Sequence, residues 1–172
     1  MGRLLTVVNG TGRADRYQFS MAPTTPSALM GMIDDLVVST AMVLATVAFH
    51  GAGLVALGRL LRIEAREEMA RHLPAFSPRT LGFIWSLVLA LFVLHGVEIW
   101  AYAFMYVWLG AVSDIATGVY FSTISYAAIG YSDVHILPEW RLVGAIEGIN
   151  GLLLLGWSTA FFVPLVARLG RN

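Results

Sequence analysis

Tyr120–Asp133 reads YFSTISYAAIGYSD, a run of small, aromatic and hydroxyl residues that ends in Ile129-Gly130-Tyr131-Ser132-Asp133 between two long apolar segments. How this stretch is read decides the fold. With the residues before it, from Ser113, it is too short and too polar to cross a hydrocarbon core of ~30 Å, which takes about 20 apolar residues as a helix. Ser113 and Asp114 have the character of a helix start, with an acid where the backbone presents its positive end. Irregular backbone at membrane depth survives only where it is buried in protein or lines water. The expectation is therefore a short helix over Ser113–Tyr126 that enters the membrane, followed by a loop.

The surrounding composition makes the membrane the solvent. The 172 residues are 58% hydrophobic and 13% charged, with a mean hydropathy of +0.73, whereas a soluble domain carries about 25% charged residues. Acids and bases balance at 11 each, every base being Arg. A nucleic-acid partner would need a net basic surface, so none is expected. Cysteine is absent, which excludes a disulfide framework and a thiolate metal site. No nucleophile–base constellation is present, so an enzyme is not expected.

Working outward, residues 1–29 are polar and rich in Gly, Pro and Thr, and read as a flexible tail without a signal-peptide core. Residues 30–79 form the first transmembrane helix and a linker. Leu36–Leu61 is uncharged up to Arg59, with His50 near its middle and Asp34 and Asp35 before it. Gly51, Ala52, Gly53 and Gly58 would admit a close neighbour. Arg59–Phe76 mixes apolar residues with Arg and Glu as an amphipathic surface helix would, Pro74 closing it and Ser77-Pro78 opening the next. Residues 80–172 form the next unit: a second span over Thr80–Gly110, the short helix and loop, and a third span from Pro138 to about Arg168. The second span ends in Trp100, Tyr102, Tyr106 and Trp108, suited to an interface. Arg59, Arg62, Arg66, Arg71 and Arg79 lie between spans one and two, and Arg168 and Arg171 follow span three; Arg141 alone lies between two and three. The positive-inside rule puts the C-terminus in the cytoplasm, and the loop and the N-terminus outside.

The order of outer helix, short helix, loop and inner helix, with Tyr120-Phe121-Ser122-Thr123, Ile129-Gly130-Tyr131, Asp133, Glu139-Trp140-Arg141-Leu142 and Gly156-Trp157-Ser158-Thr159-Ala160-Phe161, resembles the two-transmembrane pore module of the potassium channel family in a small bacterial form, with one extra N-terminal helix. The resemblance covers Thr80–Leu169. It implies an all-α protein of the cell (inner) membrane: three transmembrane helices plus a re-entrant pore helix and filter loop, assembled as a homotetramer in the lipid bilayer. It further implies passive conduction of monovalent cations, with K+ in the filter and no cofactor. The carbonyls of Ala128, Ile129, Gly130, Tyr131 and Ser132 would line the ion path. Tyr120 and Phe121 would form an aromatic cuff with the ring of Tyr131, and Asp133, Glu98 and Glu147 would support it. Gly151 and Gly156 would let the inner helix bend or pack closely, Pro164 would kink it, for gating or statically, and Ser158 and Thr159 would face a cavity or bond their own backbone.

Two positions depart from the family's T-V-G-Y-G loop. Its threonine is Ala128, which removes four hydroxyl ligands per tetramer, and its last glycine is Ser132. A poorly selective or non-conducting relative therefore stands as the first alternative, and a membrane scaffold or accessory subunit as the second.

Four ionisable residues lie within apolar stretches: His50, His95, Glu98 and Glu147. Burying them is costly, so each asks for a partner. His95 and Glu98, three apart, share a helix face. Hydrogen bonds among the outer, short and inner helices, with Asn150 included, are the favoured reading over a metal site, and Glu98 and Glu147 as pH-sensitive braces behind the filter are the alternative. Asp114 and Asp133, beside the outer mouth, either gather cations or cap helices.

Overall fold

The computed structural model describes residues 4–8, 14–18, 26–69, 78–130 and 132–169. In chain order these form β1 (Leu4–Val8), β2 (Ala14–Gln18), α1 (Pro26–Met69), α2 (Pro78–Trp108), α3 (Ile115–Tyr126), a 3₁₀ turn (Pro138–Trp140) and α4 (Arg141–Leu169).

The segment expected as a flexible tail holds an antiparallel pair, β1 to β2, in register from Leu4 opposite Gln18 to Val8 opposite Ala14. Leu-Leu-Thr-Val-Val is apolar and rich in β-branched residues, and Asn9-Gly10 follows it in sequence as a hairpin signal. A search for helical periodicity passes over such a short strand. The end of the same segment, from Pro26, opens α1.

Three helices are long and apolar enough to cross a membrane, over Leu29–Leu60, Leu81–Trp108 and Pro138–Ala167. They coincide with the three expected spans. The first does not stop where the separate surface helix was expected, because α1 runs unbroken for 44 residues, about 66 Å at 1.5 Å per residue. Arg59–Met69 contains no Gly or Pro and several strong helix formers, so nothing in it ends a helix. Pro74 and Ser77 lie outside the described residues.

The helical unit has two apolar clusters, and α2 contributes to both. Phe83, Leu87 and Leu91 in its first half pack with Leu54 of α1 and with Phe161, Phe162 and Leu165 of α4. Tyr102 and Tyr106 in its second half pack with Phe121 of α3, Ile136 of the loop and Val143 of α4. Between the clusters lies a layer of buried polar side chains. Other faces stay apolar and exposed, with Trp85, Phe92 and Leu153 more than half accessible, as suits helices surrounded by lipid or by further protein.

Helix α3 is held unusually close to α4. A methyl group on Gly151 would stand 2.1 Å from the carbonyl oxygen of Tyr126, and one on Gly144 would stand 2.7 Å from the Phe121 ring. With Gly148, 3.0 Å from the Ser125 carbonyl by the same measure, these residues form a bare stripe on which α3 rests. Of the two roles read for Gly151, a bend or close packing, this contact accounts for close packing. Gly156 meets nothing within 4 Å, and α4 continues past Pro164 to Leu169.

Candidate functional site

The site is built around the two ends of α3. At its start, the Asp114 carboxylate accepts from the Thr117 backbone N–H at 2.9 Å, the Thr117 hydroxyl at 2.8 Å and the Ser113 hydroxyl at 2.7 Å. These bonds, the Thr117 N–H foremost, pull its pKa down to about 2. Of the two roles read from sequence, capping accounts for Asp114. Asp133 pairs with Arg141 at 3.0 Å, both half-exposed.

At its end, α3 closes on Ala127. The Ala128 N–H donates to the Ser125 carbonyl at 2.8 Å, and the Ile129 N–H to the Ile124 carbonyl at 2.9 Å. This is the Schellman pattern, which places residue 128 in the left-handed region; Ala128 has φ of 54° there and Gly130 has φ of 59°. From Ala127 to Gly130 the chain is exposed. Among the described residues no hydrogen-bond donor reaches the carbonyls of these four. The α3 axis ends beside them, so its partial negative charge adds to theirs. The Ser132 hydroxyl turns back to the Val134 N–H at 3.3 Å. Tyr131 lies outside the described residues. Phe121 is buried edge-on against Tyr106, with centroids 5.3 Å apart, and the half-exposed Tyr120 meets His135 at 5.5 Å. The two rings expected in one cuff thus leave α3 in different directions, as successive helical residues must.

Behind the C-terminal half of α3 lies the polar layer. Tyr126 donates to Glu98 in a short hydrogen bond, and Glu98 also meets His50 Nδ1 at 2.9 Å. His95 reaches the Tyr126 hydroxyl through Nδ1 at 2.9 Å and Ser158 Oγ through Nε2 at 3.0 Å. Ser158 lies 3.2 Å from His50 Nε2. One turn away, Glu147 is bonded by Tyr106 at 2.7 Å and by Ser122 in a short contact, while Ser122 also reaches the Ile99 carbonyl at 3.0 Å. Asn150 donates to Thr46 at 2.8 Å and to Tyr102 at 3.2 Å.

The four ionisable residues flagged in the apolar stretches therefore meet partners on all four long and short helices. Ser158 turns away from the cavity-facing role read for it: it is 6% accessible and occupied by the two imidazoles. Thr159, exposed, donates to its own helix at Leu155 O, 2.9 Å. Tyr102 and Tyr106, read as interfacial, are buried with their hydroxyls bonded, and Trp108 alone of that group is mostly exposed at 84%. His50, His95 and Glu98 are close enough to consider for a metal, with one donor atom each within 4.8 Å of the others. Every one of those atoms is already in a hydrogen bond, and a cation would have to break several of them, so these residues fit a hydrogen-bonded cluster better.

A family model described as an ion channel matches residues 83–168, half of the chain. The chain belongs to the two-transmembrane pore-loop ion channel family. The match begins in α2 and ends in α4, so α1 lies outside it. No curated relative and no solved structure matches the chain. In this ion channel, the residues that sequence reasoning left out are Ser122 and Tyr126 on α3, Thr46 on α1, and Gly144 and Gly148 on α4. The signal available for Ser122 and Tyr126 was their spacing of four on the face away from Tyr120.

Proposed function

We propose that the protein is a potassium-channel-like channel that conducts monovalent cations passively through a pore formed by four copies around one axis. The segment Ala128–Ser132 of each copy supplies backbone carbonyls to the ion path, and K+ passes as cargo rather than as a bound cofactor. The observation that carries this reading is the exposed backbone of Ala127–Gly130 at the negative end of a helix inside a membrane protein of the ion channel family. Carbonyls without donors are costly in lipid and useful to a dehydrated cation. Four copies would convert one exposed loop into a ring of oxygens. The Arg bias supports a cytoplasmic C-terminus and a loop that enters from outside the cell membrane.

The departures at Ala128 and Ser132 bear on selectivity. Without threonine hydroxyls at the inner end, the innermost site relies on carbonyls alone, which favours weaker discrimination between K+ and Na+. The test is rubidium uptake into liposomes holding the purified protein, with sodium as competitor and barium as blocker. Barium-sensitive uptake is expected. A tetramer without such uptake would sink conduction, and a monomer in detergent would favour a scaffold or accessory subunit.

A further inference from the structure

Five side chains from four helices close a hydrogen-bonded ring: Glu98, His50, Ser158, His95, Tyr126 and back to Glu98. The ring has five links and each link needs one proton. With Glu98 ionised and both imidazoles neutral, the members supply four, one each from Tyr126, Ser158, His50 and His95. One link would then consist of two facing lone pairs, and the ring would carry a net negative charge with no cation beside it among the described residues. Both conditions are costly in a buried site.

We propose that this ring binds one additional proton as part of its folded structure, and that its proton occupancy regulates the end of α3. With five protons every link is filled and the ring is neutral. The added proton resides on the Glu98 carboxyl or, after passing through the Tyr126 hydroxyl, on an imidazole opposite the carboxylate. The ring is complete in either donor direction, so the two histidines take opposite roles: one donates from Nδ1 and the other from Nε2, or one is doubly protonated.

The neighbouring titratable groups leave this count unchanged. Tyr102 of α2 bonds Asn150, and Glu147 of α4 bonds Tyr106 and Ser122. The Glu147 cluster obeys the same arithmetic, with three links to Tyr106, Ser122 and onward to Ile99, and two hydroxyl protons until the carboxyl supplies a third.

The sign follows from the count. The complete ring is the protonated one, so it persists at low pH and opens as pH rises through its titration. Tyr126 is a ring member and the last residue of α3, so opening the ring frees the residue from which Ala127–Gly130 departs. Only this last step rests on the channel reading.

The test uses full-length protein in lipid nanodiscs, with ¹⁵N-histidine spectra and melting curves from about pH 5 to about pH 9. The expected result at low pH is one Nδ1–H and one Nε2–H imidazole, or one doubly protonated ring, from His50 and His95. Loss of a single proton on raising pH should lower the melting midpoint by about 2–10 °C. In His95→Gln, which keeps a donor and an acceptor, four protons still face five links, so that pH dependence should persist, and its loss would count against the proton count. If His95→Gln does not fold, Ser158→Ala is the second variant: it removes two links and should shift the histidine titration by at least about one pH unit. The same tautomer on both histidines at low pH, a pH-independent spectrum, or a stoichiometric bound metal would overturn the proposal. These readouts need no ion flux, so a protein that passes no ions fails the channel reading alone.

Discussion

Helices α2 and α3 end in the same way with different residues. At the end of α2, Gly110 N–H donates to the Val107 carbonyl at 3.0 Å and Ala111 N–H to the Tyr106 carbonyl at 2.9 Å, with Gly110 at φ of 68°. At the end of α3 the same two bonds form around Ala128 at φ of 54°. Glycine adopts this conformation freely, whereas an alanine there costs on the order of 1 kcal/mol. The end of α2 is therefore locally specified. The end of α3 is held by what surrounds it: the bare stripe of α4 against the Tyr126 carbonyl, and the polar layer behind Tyr126 and Ser122. The strained alanine opens the loop assigned to the ion path, and strain that persists at such a place has to be over-determined by its neighbours.

The contrast predicts how each end breaks. Gly151→Ala should have the largest effect, because its methyl group would stand 2.1 Å from a backbone oxygen that no side-chain rotation can move away. Overpacking of this kind costs about 3 kcal/mol or more, which a drop of roughly 6–12 °C in melting midpoint would report. Glu147→Ala comes next. It strands the Tyr106 hydroxyl in a buried site and leaves Ser122 with the Ile99 carbonyl alone, at about 2–3 kcal/mol, and Glu147→Gln should recover more than half of the loss in the same melting assay.

Smaller effects of opposite sign separate the two helix ends. Gly110→Ala should destabilise by about 1 kcal/mol, and Ala128→Gly should stabilise by a similar amount; chemical denaturation in detergent gives both signs. Equal signs would mean that the two ends are not alternatives of one motif. The smallest effect belongs to Asp114. Its carboxyl is depressed to about 2, so the cap is intact above about pH 4 and is lost as pH falls toward about 2. Asp114→Asn should remove this acid-side slope from the melting curve.

The same contrast explains what was legible in the sequence. Ser113 with Asp114 at a helix start and the three apolar spans are local signals, and each span lies where hydropathy put it. The short helix after Ser113 was legible for the same reason. The polar layer is assembled from residues up to 108 positions apart, as between His50 and Ser158. Sequence marked His50, His95, Glu98 and Glu147 as expensive to bury, without showing which atoms meet. It assigned Ser158 to a cavity because a serine on an inner helix has no local feature that distinguishes a lumen from a neighbouring imidazole. The continuity of α1 through Arg59 was missed because charge marks a membrane boundary, not a helix boundary. The strand Leu4–Val8 was missed because five residues form less than two turns of helical period.

The account turns on the loop after α3 forming an ion path in an assembly of copies. The most direct measurement is a structure of the protein in lipid with rubidium present, read for the number of copies and for ion density at the loop. The account predicts four copies with density on their common axis, ringed by the carbonyls of residues 128–132. Loops that stay apart, or an axis without density at those carbonyls, would contradict it.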